Sequence, residues 1–277
     1  FDFRQSLFVI VLGYFCYLAF WVFLIVSVSA LLKTSTQSLS VLLGFWIIAV
    51  VLMPRLAGAY ASTSVPTPSH IETTLRIAEA MRSEGDSHDI DDSAFVDLRT
   101  RTLAEYGVES IEDLPFNYRG FVALQGEEAD TEVLNNFAEE RMVQELEQKS
   151  AADQFSVLSP IVALRAFSMT LAGTALQDHH HFLRAAEDYR YNMVQTFNRL
   201  QMSAMTLADD LARNSSAASN QRTRIDSSNW SQMPVFELPP LAHEQRWQAA
   251  SLAGISLGLW LLAGFLLLLF AARRLRL

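Results

Sequence analysis

The sequence predicts an all-α membrane protein: three transmembrane helices, with a large extracytoplasmic helical-bundle insert between the second and third. Three observations lead there. Apolar residues are gathered into two blocks near the start and one at the end. The stretch between them has helical periodicity and almost no strand-like alternation. Charge is divided the same way: residues 57–246 hold 29 of the 30 acidic residues but only 15 of the 21 basic ones, a net of -14, and the remainder carries +5. The overall -9 and a pI near 5.1 exclude a basic nucleic-acid binder. A single cysteine, Cys16, excludes an intramolecular disulfide framework or a Cys-rich zinc site.

The first span covers about residues 7–32, LFVIVLGYFCYLAFWVFLIVSVSALL, with no charge. At ~1.5 Å per residue it exceeds the ~30 Å hydrocarbon core of a bilayer. It is too long for a signal peptide, and a second apolar block follows in place of a cleavage site. The second span covers about 39–61; Pro54 and Arg55 interrupt it near one end, which predicts a kinked outer turn. The last begins near Ser251 and stops at Arg273, Arg274 and Arg276. The domains are therefore 1–61 (two spans), 62–246 (the insert) and 247–277 (the last span and a basic tail).

Orientation follows from the basic flanks. The arginine-rich tail faces the cytoplasm, as does the short turn made by Lys33, Thr34, Ser35, Thr36 and Gln37. The acidic insert then lies outside, and so does Phe1. An odd set of three spans leads us to expect further spans ahead of Phe1.

Inside the insert, Ser69 followed by Glu72 forms a capping box for a helix to about Met81. GDSHDIDD (85–92) is a polar break, after which Asp92 or Ser93 caps a short helix ending near Gly107. A long amphipathic stretch from about Glu128 to Phe155 pairs with a second one from Asp178 to about Arg213 as an antiparallel hairpin or small bundle. Between them, residues 159–173 (SPIVALRAFSMTLAG) are far more apolar than their neighbours and carry one charge, Arg165. The segment is too short to span. Two readings stand: a buried bundle helix, or an interfacial or re-entrant helix against the outer ends of the spans, with Phe167, Met169 and Leu171 buried there. SSAASNQ (215–221) reads as a flexible linker, and MPVFELPPL (233–241) as an extended approach to the last span.

The pair of spans in ALLKTSTQSLSVLLGFWIIAVVLMPRLAG resembles the fourth and fifth spans of ABC-2-type transporter permeases. FSVLSPIVALRAFSMTLAGTALQDHHHFLRAAEDYRYNMVQTFN (155–198) resembles an uncharacterised permease family with a large helical insert before its last span. The resemblance covers most of the chain and implies the C-terminal half of a permease, with a cytoplasmic tail, in a bacterial inner membrane and the insert in the periplasm.

No P-loop occurs, nor any H-E-x-x-H, G-x-S-x-G or C-x-x-C, so no catalytic residue and no cofactor is expected in this chain. ATP and Mg would belong to a partner ATPase. His179, His180 and His181 beside Asp178 invite a metal reading. Successive helical residues point about 100° apart, however, so three neighbours cannot face one ion. The structural alternative is a capping Asp178 with the histidines in the first turn, packed or hydrogen-bonded against the apolar 159–176 element. Arg55 either snorkels to headgroups or faces a polar path; with Arg165 and Phe167 it forms the expected pathway or outer interface.

Taken with the resemblance, these features predict a permease subunit working with a separate ABC ATPase, a second permease subunit and the lipid bilayer, and with a periplasmic protein as a further partner. The turn at Lys33, Thr34, Ser35, Thr36 and Gln37 would couple to the ATPase. The competing reading is a membrane-anchored scaffold or sensor whose acidic domain binds another protein.

Overall fold

The computed structural model describes residues 3–87, 89–212, 224–241 and 243–275, and the regular elements among them are all helical. Among the described residues three helices are long and apolar enough to cross a membrane: Arg4–Leu31, Ser35–Ser64 and Glu244–Arg274. They mark the chain as a membrane protein. In chain order the helices are α1 (Phe3–Leu31), α2 (Ser35–Ser64), α3 (His70–Glu84), α4 (Val96–Tyr106), α5 (Tyr118–Asp153), α6 (Pro160–Ala172), α7 (Leu176–Ala204), α8 (Leu207–Leu211) and α9 (His243–Arg274). The SSAASNQ stretch, His88 and Arg276 lie outside the described residues. Two compact units result, one of 1–67, 142–182 and 240–277, the other of 68–141 and 183–239.

In the first unit α1, α2 and α9 meet through aromatic rings. The Phe20 and Trp260 centroids are 5.2 Å apart, those of Trp21 and Phe45 5.8 Å, and those of Phe45 and Trp260 6.2 Å. Most are edge-on, as ring quadrupoles prefer. The short apolar helix α6 packs into this unit against α1 and α9. Its Ala163, Leu164, Phe167 and Leu171 form one buried cluster with Ala250, Ala253 and Leu257 of α9. Met169 is only half-buried.

Helix α2 departs from α-geometry where proline requires it. Residues Ile47–Leu52 form a π-helical stretch, and the Met53 N–H donates to the Ile48 carbonyl five residues back. Pro54 has no N–H to continue the ladder. The Ala49 carbonyl thereby loses both helical donors: Met53 is taken by Ile48, and position 54 has none to give. The Ser159 hydroxyl supplies the missing bond, donating to that carbonyl at 2.6 Å. The same oxygen accepts from the Val162 N–H at 3.3 Å, so Ser159 is also the N-cap of α6, ahead of Pro160 at the first helical position. Both Ser159 and Ala49 are buried.

The second unit is built on α5 and α7 running antiparallel. Arg184 grips Glu139 with two bonds of 2.5 and 2.7 Å. Six residues further along α7, Arg190 bonds Glu127 and Glu187, each at 2.7 Å, and Thr131. Gln195 and Asn198 reach the Leu124 and Ala123 carbonyls. At the closed end the backbones touch: a Cβ on Gly120 would lie 2.5 Å from the Met202 nitrogen, so only glycine fits there. The long helix begins ten residues before the sequence suggests, at Tyr118, because Asn117 caps it (Arg119 N–H to Asn117 Oδ1, 3.0 Å). Likewise α7 ends at Ala204 and a second cap, Thr206, starts α8. The expected capping of α3 is present: Ser69 accepts from the Glu72 N–H at 3.2 Å, and the helix stops at Gly85, φ +89°.

Removing a partner from a buried polar group costs about 1–3 kcal/mol. Ser159→Ala should therefore lower unfolding stability in lipid–detergent micelles by that amount. Pro54→Ala restores an N–H that can reach the Ala49 carbonyl. In that background the same Ser159→Ala change should cost at least ~0.5 kcal/mol less. Strict additivity in the cycle would show that the hydroxyl and the proline are not coupled.

Candidate functional site

The first unit holds an open cleft of about 520 Å³ between α2, α6 and the end of α5. Helix α2 contributes Val50 from the π stretch and Pro54, Ala57 and Gly58 beyond it; the last three share a face because Ala57 and Gly58 follow Pro54 by three and four residues. Helix α6 contributes Ile161, Val162, Arg165, Ala166, Met169 and Thr170, and α5 contributes Lys149, Ala152 and Asp153. The walls are mainly apolar, with charge from three side chains. Lys149 and Asp153 are bonded to one another, so they neutralise each other. Arg165 is exposed in the cleft, and its guanidinium has no partner among the described residues.

Helix α6 fixes this geometry at both ends. At its start lie the Ser159 bond to α2 and a bond from Trp260 Nε1 to the Ser156 carbonyl at 3.3 Å. At its far end Gly173, φ +71°, closes the helix in the left-handed conformation. A Cβ there would lie 3.1 Å from Nη2 of Arg246. Arg246 and Trp260 are fourteen positions apart on α9, about 21 Å. Helix α6 therefore runs beside the first half of α9, from its middle to its start. The middle of α6 is wedged by Phe167, whose ring would be 2.7 Å from a Cβ on Gly13 of α1 and 3.2 Å from one on Gly254 of α9.

The start of α7 braces this arrangement. Asp178 sits in the first turn instead of capping from outside; one carboxylate oxygen accepts from the Ala175 N–H at 3.3 Å and the other from Arg246 at 2.8 Å. The first bond is the return half of a capping box. The three histidines diverge as helix geometry requires: His179 is exposed, His181 half-buried and His180 buried. His180 Nε2 pairs with Glu145 of α5 at 2.8 Å. Its partner is thus α5 and not the apolar helix. Among the described residues no three metal-ligating side chains converge.

The remaining sequence candidates are separate. Lys33, Thr34, Ser35, Thr36 and Gln37 are all exposed at the α1–α2 connection, where Thr34 caps α2 by accepting from the Gln37 N–H at 3.3 Å. Arg55 is exposed and does not line the cleft. Sequence reasoning missed the Lys149–Asp153 pair and the Ser159 bond. The Ser-Pro at 159–160 and the lone Pro54 were the available signals.

Electrostatics in the second unit are structural. The hydrogen bond to Glu139 raises the pKa of Arg184, and bonds to Glu187 and then Glu127 raise that of Arg190. Burial pushes the Tyr118 hydroxyl up, and its oxygen has no partner among the described residues. The Asp92 carboxyl is held low by the N–H groups of Ala94 and Asp86. Asp210, buried, accepts from Asn117 at 3.0 Å and Gln201 at 2.6 Å. Arg184, Arg190 and Asp210 fasten helices to one another.

Fold and cleft together define a multi-span helical membrane protein with a helical insert between its second and third membrane-crossing helices. Residues 70–238, more than half of the chain, match the family described as a domain of unknown function (DUF3526), and the chain belongs to that family. No curated protein and no solved structure matches it.

The Phe167 wedge makes opposite forecasts for two glycines. Gly44 has open space around its Cβ position, so Gly44→Ala should be neutral or raise stability by up to ~1 kcal/mol, the helix-propensity gain. Gly13→Ala should lower it by about 1–3 kcal/mol through overpacking against Phe167. Thermal unfolding of both variants in the same micelles reads the sign. Equal shifts would remove the wedge.

Proposed function

We propose that the chain is a permease subunit of an ABC-2-type transporter, driven by a separate ATPase that binds ATP and Mg. The observation that carries this reading is the attachment of α6. A short apolar helix from the insert is bonded to α2 and packed on α1 and α9, so this segment of the insert moves with those helices. A permease needs such a link between its spans and its outer face. The π stretch of α2 offers a place to bend. The exposed turn at residues 33–37 is the ATPase-facing surface, and two such subunits form the pathway. The membrane is a bacterial inner membrane, with the insert in the periplasm and the tail inside. The support is the basic flank of Arg273 and Arg274 and the acidic insert.

A second reading has its own support. Helix α3 has no buried residue, and its Ile71 and Leu75 are 73% and 65% exposed. Such an apolar edge favours a protein partner for the insert, as in a membrane-anchored scaffold or sensor.

Orientation is tested by cysteine labelling in a Cys16→Ala background. Ser83→Cys and Ser228→Cys should react with a membrane-impermeant thiol reagent in intact spheroplasts. Thr36→Cys should react only after permeabilisation. The reverse pattern would overturn the orientation.

The function is tested by purifying the tagged full chain from native membranes. A P-loop ATPase should co-purify in near-stoichiometric amount, and Thr36→Glu with Gln37→Glu should reduce its ATPase stimulation severalfold while the protein remains inserted. A soluble protein without nucleotide-binding motifs as the sole stoichiometric partner would favour the scaffold reading.

A further inference from the structure

From the cleft beside α6 we infer a binding site for an anionic phospholipid, held by Arg165 and seated with its acyl chains along α2. The inference rests on the reading of α1, α2 and α9 as membrane spans. Three observations point to this occupant. The cleft is large, about 520 Å³, and open, so it takes part of a chain-bearing molecule and not only an ion. Its α2 wall is small and smooth: Ala57 is buried, and a Cβ on Gly58 would meet nothing within 4 Å. Elsewhere on α2, Val51, Leu52 and Leu56 are about half exposed, as side chains that face acyl chains are.

The third observation is charge. Of the three charges that line the cleft, Lys149 and Asp153 cancel and Arg165 has no partner among the described residues. It lies seven residues before the end of α6, about 10 Å along the helix. With these helices read as spans, an exposed and unpaired cation on α6 calls for a counter-charge. Within a chain of net charge -9 the cleft is locally positive. A phosphodiester supplies one negative charge and acceptor oxygens matched to the guanidinium fork, and its chains cover the apolar wall. A neutral zwitterionic lipid would carry its own cation into contact with Arg165 and fit less well.

The test uses the full chain in nanodiscs of equal parts phosphatidylglycerol and phosphatidylcholine, followed by stepwise delipidation and native mass spectrometry. The wild type should retain phosphatidylglycerol in preference to phosphatidylcholine by about fivefold, the effect of one basic side chain near anionic lipid. Arg165→Gln should bring the ratio to near one, and Arg165→Lys should keep most of it. Met169→Trp, which fills the cleft without changing charge, should abolish retention of both lipids. A preference unchanged in Arg165→Gln overturns the site. Displacement of the lipid by millimolar inorganic phosphate also overturns it, in favour of a free-anion site. Co-purification of the ATPase is scored on the same samples: its absence from the wild type counts against the permease reading alone, while an unselective cleft in an ATPase-bound sample counts against the lipid alone.

Discussion

One carbonyl oxygen organises the first unit. Pro54 cannot donate, the π stretch before it diverts the Met53 N–H to Ile48, and the Ala49 carbonyl is left without a helical partner. In water that would matter little. In a buried, apolar setting an unpaired carbonyl costs about 1–3 kcal/mol, so the fold must bring a donor to it. Ser159 does so and caps α6 with the same oxygen. The position of α6, the wedge of Phe167 between Gly13 and Gly254, and the cleft between α2 and α6 all depend on that point of attachment.

The two units are held together internally by different physics. In the first, apolar contact does most of the work, with burial of a Phe-sized side chain contributing about 1.5–3 kcal/mol, and a few buried hydrogen bonds fix direction. In the second, amphipathic helices with modest apolar faces are aligned by charged clamps, Arg184 on Glu139 and Arg190 on Glu127 and Glu187. These clamps are part-exposed, so each contributes little energy but sets register. The contrast follows from composition: almost all the acidic residues lie in 57–246, while α1, α2 and α9 have almost none.

How much was legible in the sequence varied with the kind of signal. Long apolar runs and caps are local, and so the three membrane-crossing helices and the Ser69 and Asp92 caps could be read directly. The apolar segment 159–173 could be recognised as unusual from its composition, but its seat against α1 and α9 depends on distant glycines that composition does not connect. Helix boundaries at Tyr118 and Ala204 were missed because they are set by Asn117 and Thr206, single capping residues within polar stretches. Arg165 was legible as a lone charge. Its place in a cleft was not, since that required knowing that Pro54, Ala57 and Gly58 face it across the unit.

The central claim is that α6 belongs to the interior of the membrane unit through its bond to α2. Hydrogen–deuterium exchange of the full chain in lipid nanodiscs tests it most directly. Amides of Pro160–Ala172 should exchange as slowly as those of α1 and α9, and Ser159→Ala should accelerate exchange in that helix and in residues 47–53 while leaving α5 and α7 beyond residue 183 unchanged. Rapid exchange across Pro160–Ala172 in the wild type, at the rate of a solvated surface helix, would contradict the account.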